Sequence, residues 1–215
     1  MIKKNQLTTL VFDLGGVIIN IDPFLTIKKF SSLSANSSDI LYGLDYKNHN
    51  SNHLLNFFFE FEKGLINEKK FRNQLLDLLS VSIGVEKFNK IWNKLILSFN
   101  YNLLDIILKL KTRYKIFVLS NTNSIHEKFY NKLCKKEYGV DLKEIFHKVY
   151  YSHEINLRKP ENESYQLILD ENNLKGNQIL FFDDINDNLT ASKKLNYNTY
   201  KVSRIDTLEK FLTRL

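Results

Sequence analysis

Short apolar runs alternate along this chain with longer segments whose apolar residues recur every three or four positions. Leu10–Phe12, Lys115–Leu119, Lys148–Tyr151, Gln178–Phe182 and Thr199–Val202 are short and rich in β-formers, the signature of strands. The segments between the last four are amphipathic and read as helices. That alternation predicts a parallel sheet with right-handed crossovers. The first two runs are separated differently: residues 20 to 99 hold several helical patterns and no convincing strand. Asp22-Pro23 suits an N-cap followed by proline at the first helical position. His53–Phe61 is an apolar segment broken by Gly64, and Asn67-Glu68-Lys69-Lys70 opens a helix running through Leu79. Val85–Leu97 carries Phe88, Ile91, Trp92, Leu95 and Ile96 at helical spacing, and Leu103–Leu110 leads back to the sheet.

The predicted architecture is therefore α/β: a doubly wound, Rossmann-like parallel-sheet core from residues 1–19 and 100–215, with an all-helical cap inserted at 20–99. Composition agrees, since 43% hydrophobic and 26% charged residues in 215 is a globular balance. No stretch approaches the roughly 20 apolar residues of a spanning helix. The segment Met1–Asp13 lacks a small-residue cleavage site, and the single cysteine, Cys134, cannot form an internal disulfide. Cytoplasm is the expected location. The formal charge of +7 suits an anionic ligand. The lysines, however, are scattered in pairs such as Lys3-Lys4 and Lys135-Lys136, with no arginine cluster and no nucleic-acid motif. A solvated basic surface is expected, with neither nucleic acid nor membrane as partner.

Ligands of open parallel sheets bind beyond the carboxyl ends of the strands. Four polar segments follow predicted strands: Asp13-Leu14-Gly15-Gly16, Ser120-Asn121-Thr122-Asn123, Arg158-Lys159-Pro160-Glu161 and Asp183-Asp184. Together they supply a carboxylate nucleophile, a hydroxyl and an amide, an ammonium, and paired acids for a hard cation. Phosphoryl transfer needs this set, because its catalysis is mostly positioning and charge stabilisation. Mg²⁺ with oxygen ligands would screen the repulsion between carboxylate and phosphate. Lys159 would neutralise phosphoryl oxygens, while Ser120 and the Asn121 amide would hydrogen-bond them. Other polar residues read as ordinary structure. His49 and His53 have i, i+4 spacing but no third ligand nearby, and His126, His147, His153 and Cys134 have no catalytic company.

The four segments, in this order and spanning nearly the whole chain, resemble the motifs of the haloacid dehalogenase superfamily: Phe12-Asp13-Leu14-Gly15-Gly16-Val17-Ile18, Leu119-Ser120-Asn121-Thr122-Asn123, Arg158-Lys159-Pro160-Glu161, and Phe182-Asp183-Asp184 with Asn188 beyond. The chain is most similar to the branch containing α-D-glucose-1-phosphate phosphatases and, more distantly, to the phosphatase domain of epoxide hydrolases. Glu62-Lys63-Gly64-Leu65-Ile66-Asn67 resembles a recurrent cap turn of that branch. The resemblance implies an Mg²⁺-dependent phosphatase acting on a small phosphorylated metabolite through a phosphorylated Asp13. Ser120 and Lys159 would assist, and Gly16, Ser120, Asn121 and Lys159 would contact the phosphoryl group. The metal would sit on Asp13, the Gly15 carbonyl and Asp184, with Asp183 beside it and Asn188 in support.

One departure stands out. The aspartate that such phosphatases carry two residues after the nucleophile is here Gly15, so the usual general acid is missing. Asp22 is the nearest substitute, although its place before Pro23 suits a helix N-cap better. The loss keeps open a catalytically weak binding protein, and a dehalogenase is a further alternative. A phosphorylated receiver is disfavoured by motif order.

Overall fold

The computed structural model describes residues 6–34 and 56–215. His49, His53 and the lysine pair Lys3-Lys4 lie outside these. Among the described residues five strands, β1 (Thr9–Phe12), β4 (Lys115–Ser120), β5 (Lys148–Tyr151), β6 (Ile179–Asp183) and β7 (Asn198–Lys201), form one parallel sheet in the order β5-β4-β1-β6-β7. β1 is central and pairs on both sides, Phe12 standing opposite Val118 and Phe182. The chain winds first toward β5, then returns to place β6 on the other side of β1, so the ends of β1, β4 and β6 converge where a doubly wound sheet binds ligands.

Both faces of the sheet are covered, so its central strands read as continuous apolar runs. Leu10 and Phe12 enter one layer with helices α5 (Tyr101–Leu110) and α11 (Ile205–Leu212), and Val11 enters the other with α9 (Asn162–Asn172) and α10 (Asn186–Lys193). Phe12 stacks on Phe182 with ring centres 4.5 Å apart, tying β1 to β6 just before their acids. The remaining helices of this part are α6 (Ser124–Tyr138), α7 (Leu142–Ile145) and α8 (Ser152–Ile155). α6 is capped at Asn123, whose Oδ1 accepts from the His126 N–H at 3.1 Å, and ends at Gly139 with φ of 87°.

The insertion contains α1 (Pro23–Ser31), α2 (Asn56–Glu62), α3 (Glu68–Leu78) and α4 (Val85–Trp92). Asp22 caps α1, its Oδ1 accepting from the Phe24 N–H at 3.0 Å, and Asn67 caps α3 in the same way. The expectation that this stretch lacks strands is corrected at its two ends. β2 (Ile19–Ile21) and β3 (Ile96–Phe99) pair antiparallel, Ile19 opposite Phe99. The helix expected to run to Leu97 stops at Trp92. The Thr26 hydroxyl lies 3.1 Å from the carbonyls of both Ile91 and Trp92 and accepts from the Leu95 N–H, which closes the helix end. Ile96 and Phe99 are then free to pair with β2. A three-residue strand is too short to show alternation, which is why the pattern hid it.

The helices of the insertion surround an aromatic core of their own, joined from α6 by Ile125. Phe71 is its centre, fully buried, stacked on Phe61 at 4.1 Å and edge-on to Trp92 at 4.9 Å. No helix among the described residues is long and apolar enough to cross a membrane. Phe71→Ala should cost about 3–5 kcal/mol of stability in urea unfolding, the range for deleting a buried phenylalanine ring.

Candidate active site

β1 and β6 both run from apolar residues straight into acids, so Asp13 and Asp183 are carried to the same end of the sheet one strand apart. Lys159 reaches between them. Its Nζ lies 2.8 Å from Asp13 Oδ1 and 2.7 Å from Asp183 Oδ2, and the ammonium side chain is buried at 1% exposure. Three charges with one net negative are thus held out of water, an arrangement that is stable only if every lone pair and proton finds a partner. The surrounding chain supplies most of them. Asp183 also accepts from the Ile185 N–H at 2.7 Å and from Asn188 Nδ2 at 3.1 and 3.0 Å. Asp13 Oδ1 takes the Leu14 N–H as well, at 2.6 Å, while no donor among the described residues reaches Oδ2. Asn188 is itself held by α9, the Tyr165 hydroxyl donating to its carbonyl at 3.0 Å.

Burial raises the Asp13 carboxyl to about 7; Lys159 pulls it down, and Asp183 and Asp184 push it up. Lys159 is raised too, for the opposite reason: burial opposes its charge, but the two carboxylates outweigh burial. Acid atoms of Asp13, Asp183 and Asp184 all lie within 4.8 Å of one another. Beside them Asn188 Oδ1 is buried without a hydrogen-bond partner. An all-oxygen cluster with surplus negative charge and an orphaned acceptor fits a hard divalent cation such as Mg²⁺.

The structure divides the predicted residues into distinct roles. Asp183 spends its oxygens on Lys159, Asn188 and the Ile185 N–H, whereas Asp184 lines the cavity above Asp13. Gly16 was expected to contact the phosphoryl group; here its N–H donates to the Ile19 carbonyl at 2.8 Å. Its work is to leave room, since a Cβ there would fall 2.8 Å from Asp184 Oδ2, and its φ of 76° also favours glycine. The Asn121 amide is likewise committed, donating to the Lys159 carbonyl and accepting from the Lys159 N–H, both at 2.8 Å. Its side chain therefore positions Lys159 while also lining the cavity. Ser120 is buried at the end of β4 with 3% exposure and does not line the cavity. Gly15 lines it, and the site of its absent side chain is closed by Ile21, whose Cδ1 would be 3.2 Å from a Cβ. Asp22 is occupied as the α1 cap.

Above these groups lies a cavity of about 140 Å³ walled by the sheet ends on one side and by Pro23, Thr26, Ile27, Phe58 and Trp92 of the insertion on the other. A cavity of about 150 Å³ accommodates benzene, so a small organic group fits. His126 also lines it but has no free nitrogen. Nδ1 lies 3.0 Å from Asn123 Nδ2 and Nε2 3.3 Å from the Trp92 carbonyl, which assigns the neutral tautomer protonated on Nε2. Burial lowers this imidazole to about 4. Two cavity residues that the sequence left unassigned are Glu62 and Arg158, from α2 and from the loop after α8.

A family model described as haloacid dehalogenase-like hydrolase matches residues 7–196. A D-ribitol-5-phosphate phosphatase of Bacteroides thetaiotaomicron is 28% identical over 199 residues, covering 91% of this chain and 92% of the relative. Among solved structures, a haloacid dehalogenase family enzyme of the same organism in complex with magnesium and inorganic phosphate superposes with a TM-score of 0.79 at 28% identity, covering 91% of this chain and 93% of that one. A HAD-like family hydrolase of Porphyromonas gingivalis gives 0.82 at 25% identity, covering 96% and 98%.

The buried ammonium is the keystone of the site. Lys159→Met should lower stability by about 3–5 kcal/mol in urea unfolding, because it strands two carboxylates in the interior.

Proposed function

This chain belongs to the haloacid dehalogenase-like hydrolase family, and from that premise we propose that it is an Mg²⁺-dependent phosphatase of small phosphorylated metabolites. The observation that carries the proposal is the convergence of Asp13, Lys159, Asp183 and Asp184 at one end of the sheet, beneath a cavity. The relative named as a D-ribitol-5-phosphate phosphatase and the neighbour holding magnesium and phosphate support it.

In this reading an Asp13 oxygen attacks phosphorus, the bond to the leaving oxygen breaks, and the leaving group departs as an alcohol after gaining a proton. Water then attacks the aspartyl phosphate, releasing phosphate and regenerating the carboxylate. Lys159 holds Asp13 in place and offsets charge gathering on the phosphoryl oxygens. Asn121 fixes the lysine backbone so that the ammonium cannot drift from between the two acids. Ser120, buried at the end of β4, would assist from beneath the loop that carries Asn121. Asp13, the Gly15 carbonyl and Asp184 would hold Mg²⁺, with Asp183 anchoring Lys159 and Asn188 beside them. The bound cation supplies screening of the repulsion between carboxylate and phosphate. The helical insertion, residues 20–99, acts as the cap that walls the leaving group from water.

Asp13→Asn removes the nucleophile with little change of shape. Turnover of p-nitrophenyl phosphate should fall at least 10³-fold, roughly the loss expected when covalent chemistry is removed, and chelation by EDTA should silence the wild type reversibly. Normal turnover by the variant in a preparation free of other phosphatases would refute the mechanism.

Gly15 leaves the departing oxygen without the usual acid, and Ile21 fills the gap with hydrocarbon. General acid help is worth about 10²–10⁴-fold. Aryl phosphates and sugar 1-phosphates, which leave readily, should therefore be hydrolysed faster than alkyl esters such as glycerol phosphate. Equal kcat values on the two classes would show that an acid reaches the leaving oxygen from elsewhere.

A further inference from the structure

The cavity holds a second charged pair besides the one at Asp13. Glu62 ends α2 and Arg158 precedes Lys159. They are 5% and 7% exposed, and both line the same cavity as Asp13. Their contact is one-sided. Arg158 Nε and Nη2 both donate to Glu62 Oε2, at 3.1 and 2.8 Å. Glu62 Oε1 and Arg158 Nη1 make no hydrogen bond to any described residue, and neither atom is buried beyond reach. An anionic acceptor and a cationic donor thus stand side by side with unused capacity in a pocket whose other walls on this side are Phe58, Ile27 and Trp92.

The pair is held rigidly. The Arg158 guanidinium lies 4.2 Å from the Phe59 ring centre. One residue after Glu62, Lys63 pairs with Glu161 at 2.9 Å and its carbonyl accepts from Asn156 Nδ2 at 2.7 Å. One residue further, Gly64 lies so close to the chain that a Cβ would fall 2.2 Å from the His153 carbonyl oxygen, with φ of 68°. These contacts clamp the end of α2 onto the loop that carries Lys159, so Glu62 keeps a set position relative to Asp13.

An acceptor beside a donor is the complement of an alcohol, which gives one hydrogen bond and receives another. It is a poor complement to a hydrocarbon, which would leave both groups desolvated and unpaired. It is also a poor complement to a second anion, because the pair is neutral in sum and offers no net charge against the cost of desolvation. We propose that Glu62, braced by Arg158, recognises hydroxyl groups of the leaving group and so selects neutral polyhydroxylated phosphomonoesters over alkyl esters and over esters bearing a second anion. The inference rests on the phosphatase reading of the same site and adds to it the residue that sets the substrate class.

The test compares three phosphate esters of similar length, D-ribitol 5-phosphate, n-pentyl phosphate and D-ribulose 1,5-bisphosphate, with p-nitrophenyl phosphate as control. The neighbouring oxygens make the two sugar-derived leaving groups less basic than pentanol, so recognition is read from KM and from the change in ratios between wild type and variant, in which leaving-group basicity cancels. Wild type should favour ribitol 5-phosphate over pentyl phosphate by about tenfold or more in kcat/KM, mainly through KM, the scale of a hydrogen bond to a charged group. Glu62→Gln keeps the shape and an acceptor for Arg158 but leaves the guanidinium charge uncompensated. It should cut the hydroxyl preference several-fold, because a neutral amide binds an alcohol more weakly than a carboxylate, and raise the relative rate on the bisphosphate, shifts of opposite sign that a loosened fold would not produce. Unchanged ratios in the variant, or an equal fall on every ester, would overturn the proposal. Should the variant not fold, the wild-type series decides alone, since absence of a hydroxyl preference is equally fatal. Failure of wild type to hydrolyse even p-nitrophenyl phosphate with Mg²⁺ would instead refute the phosphatase reading, and this inference with it.

Discussion

A single buried ammonium organises this protein. Lys159 stands between Asp13 and Asp183 at 2.8 and 2.7 Å, and most of the nearby structure exists to make that placement tolerable. Desolvating three charges costs several kcal/mol per ion, and the mutual attraction of the charges offsets that cost only with close geometry and complete hydrogen bonding. The partners that are present come from different strand ends. β4 supplies Asn121, which grips the lysine backbone from both sides. β6 supplies Asp183, and α10 supplies the Asn188 amide that satisfies its second face. The central position of β1, with β4 and β6 as its two neighbours, brings these groups to one point.

The cluster remains unbalanced, with three acids against one lysine, and the imbalance has a direction. Asp183 is turned inward and committed to its partners, whereas Asp184, the next residue, faces the cavity. Adjacent residues at a strand end point to opposite sides, so an acid pair can serve an internal anchor and an external cation together. Gly16 belongs to the same device, since any side chain there would collide with Asp184.

Much of this was legible in the sequence, for identifiable reasons. Central parallel strands are continuous apolar runs, so the strand ends and the polar segments that follow them could be read directly. Asp13, Lys159, Asp183 and Asp184 were singled out because they follow such strands, and the structure brings them together at one end of the sheet. Three things were not legible. β2 and β3 are too short to display a period, and the Thr26 hydroxyl that ends α4 sits more than sixty positions away from that helix in sequence. Composition also does not reveal that the Gly16 N–H and the Asn121 side chain engage the Ile19 carbonyl and the Lys159 backbone. Glu62 was missed because its partner, Arg158, lies 96 positions away; the only trace was the weakly distinctive Glu62-Lys63-Gly64 turn.

The insertion and the sheet are therefore not independent parts that happen to touch. Arg158 and Lys159 are adjacent in one loop. One side chain reaches up to Glu62 of the insertion and the other reaches down to Asp13 and Asp183 of the sheet. Because the backbone of this loop is pinned by Asn121 below and by Glu161 at the Arg158 N–H above, a shift of α2 large enough to move Glu62 would strain the same few residues that hold the ammonium beside Asp13. In the proposed function, recognition of the organic part of a ligand and alignment of the reacting groups would be coupled through these two consecutive side chains. The coupling needs no long-range pathway, only the opposite orientation of neighbouring residues on a rigid loop.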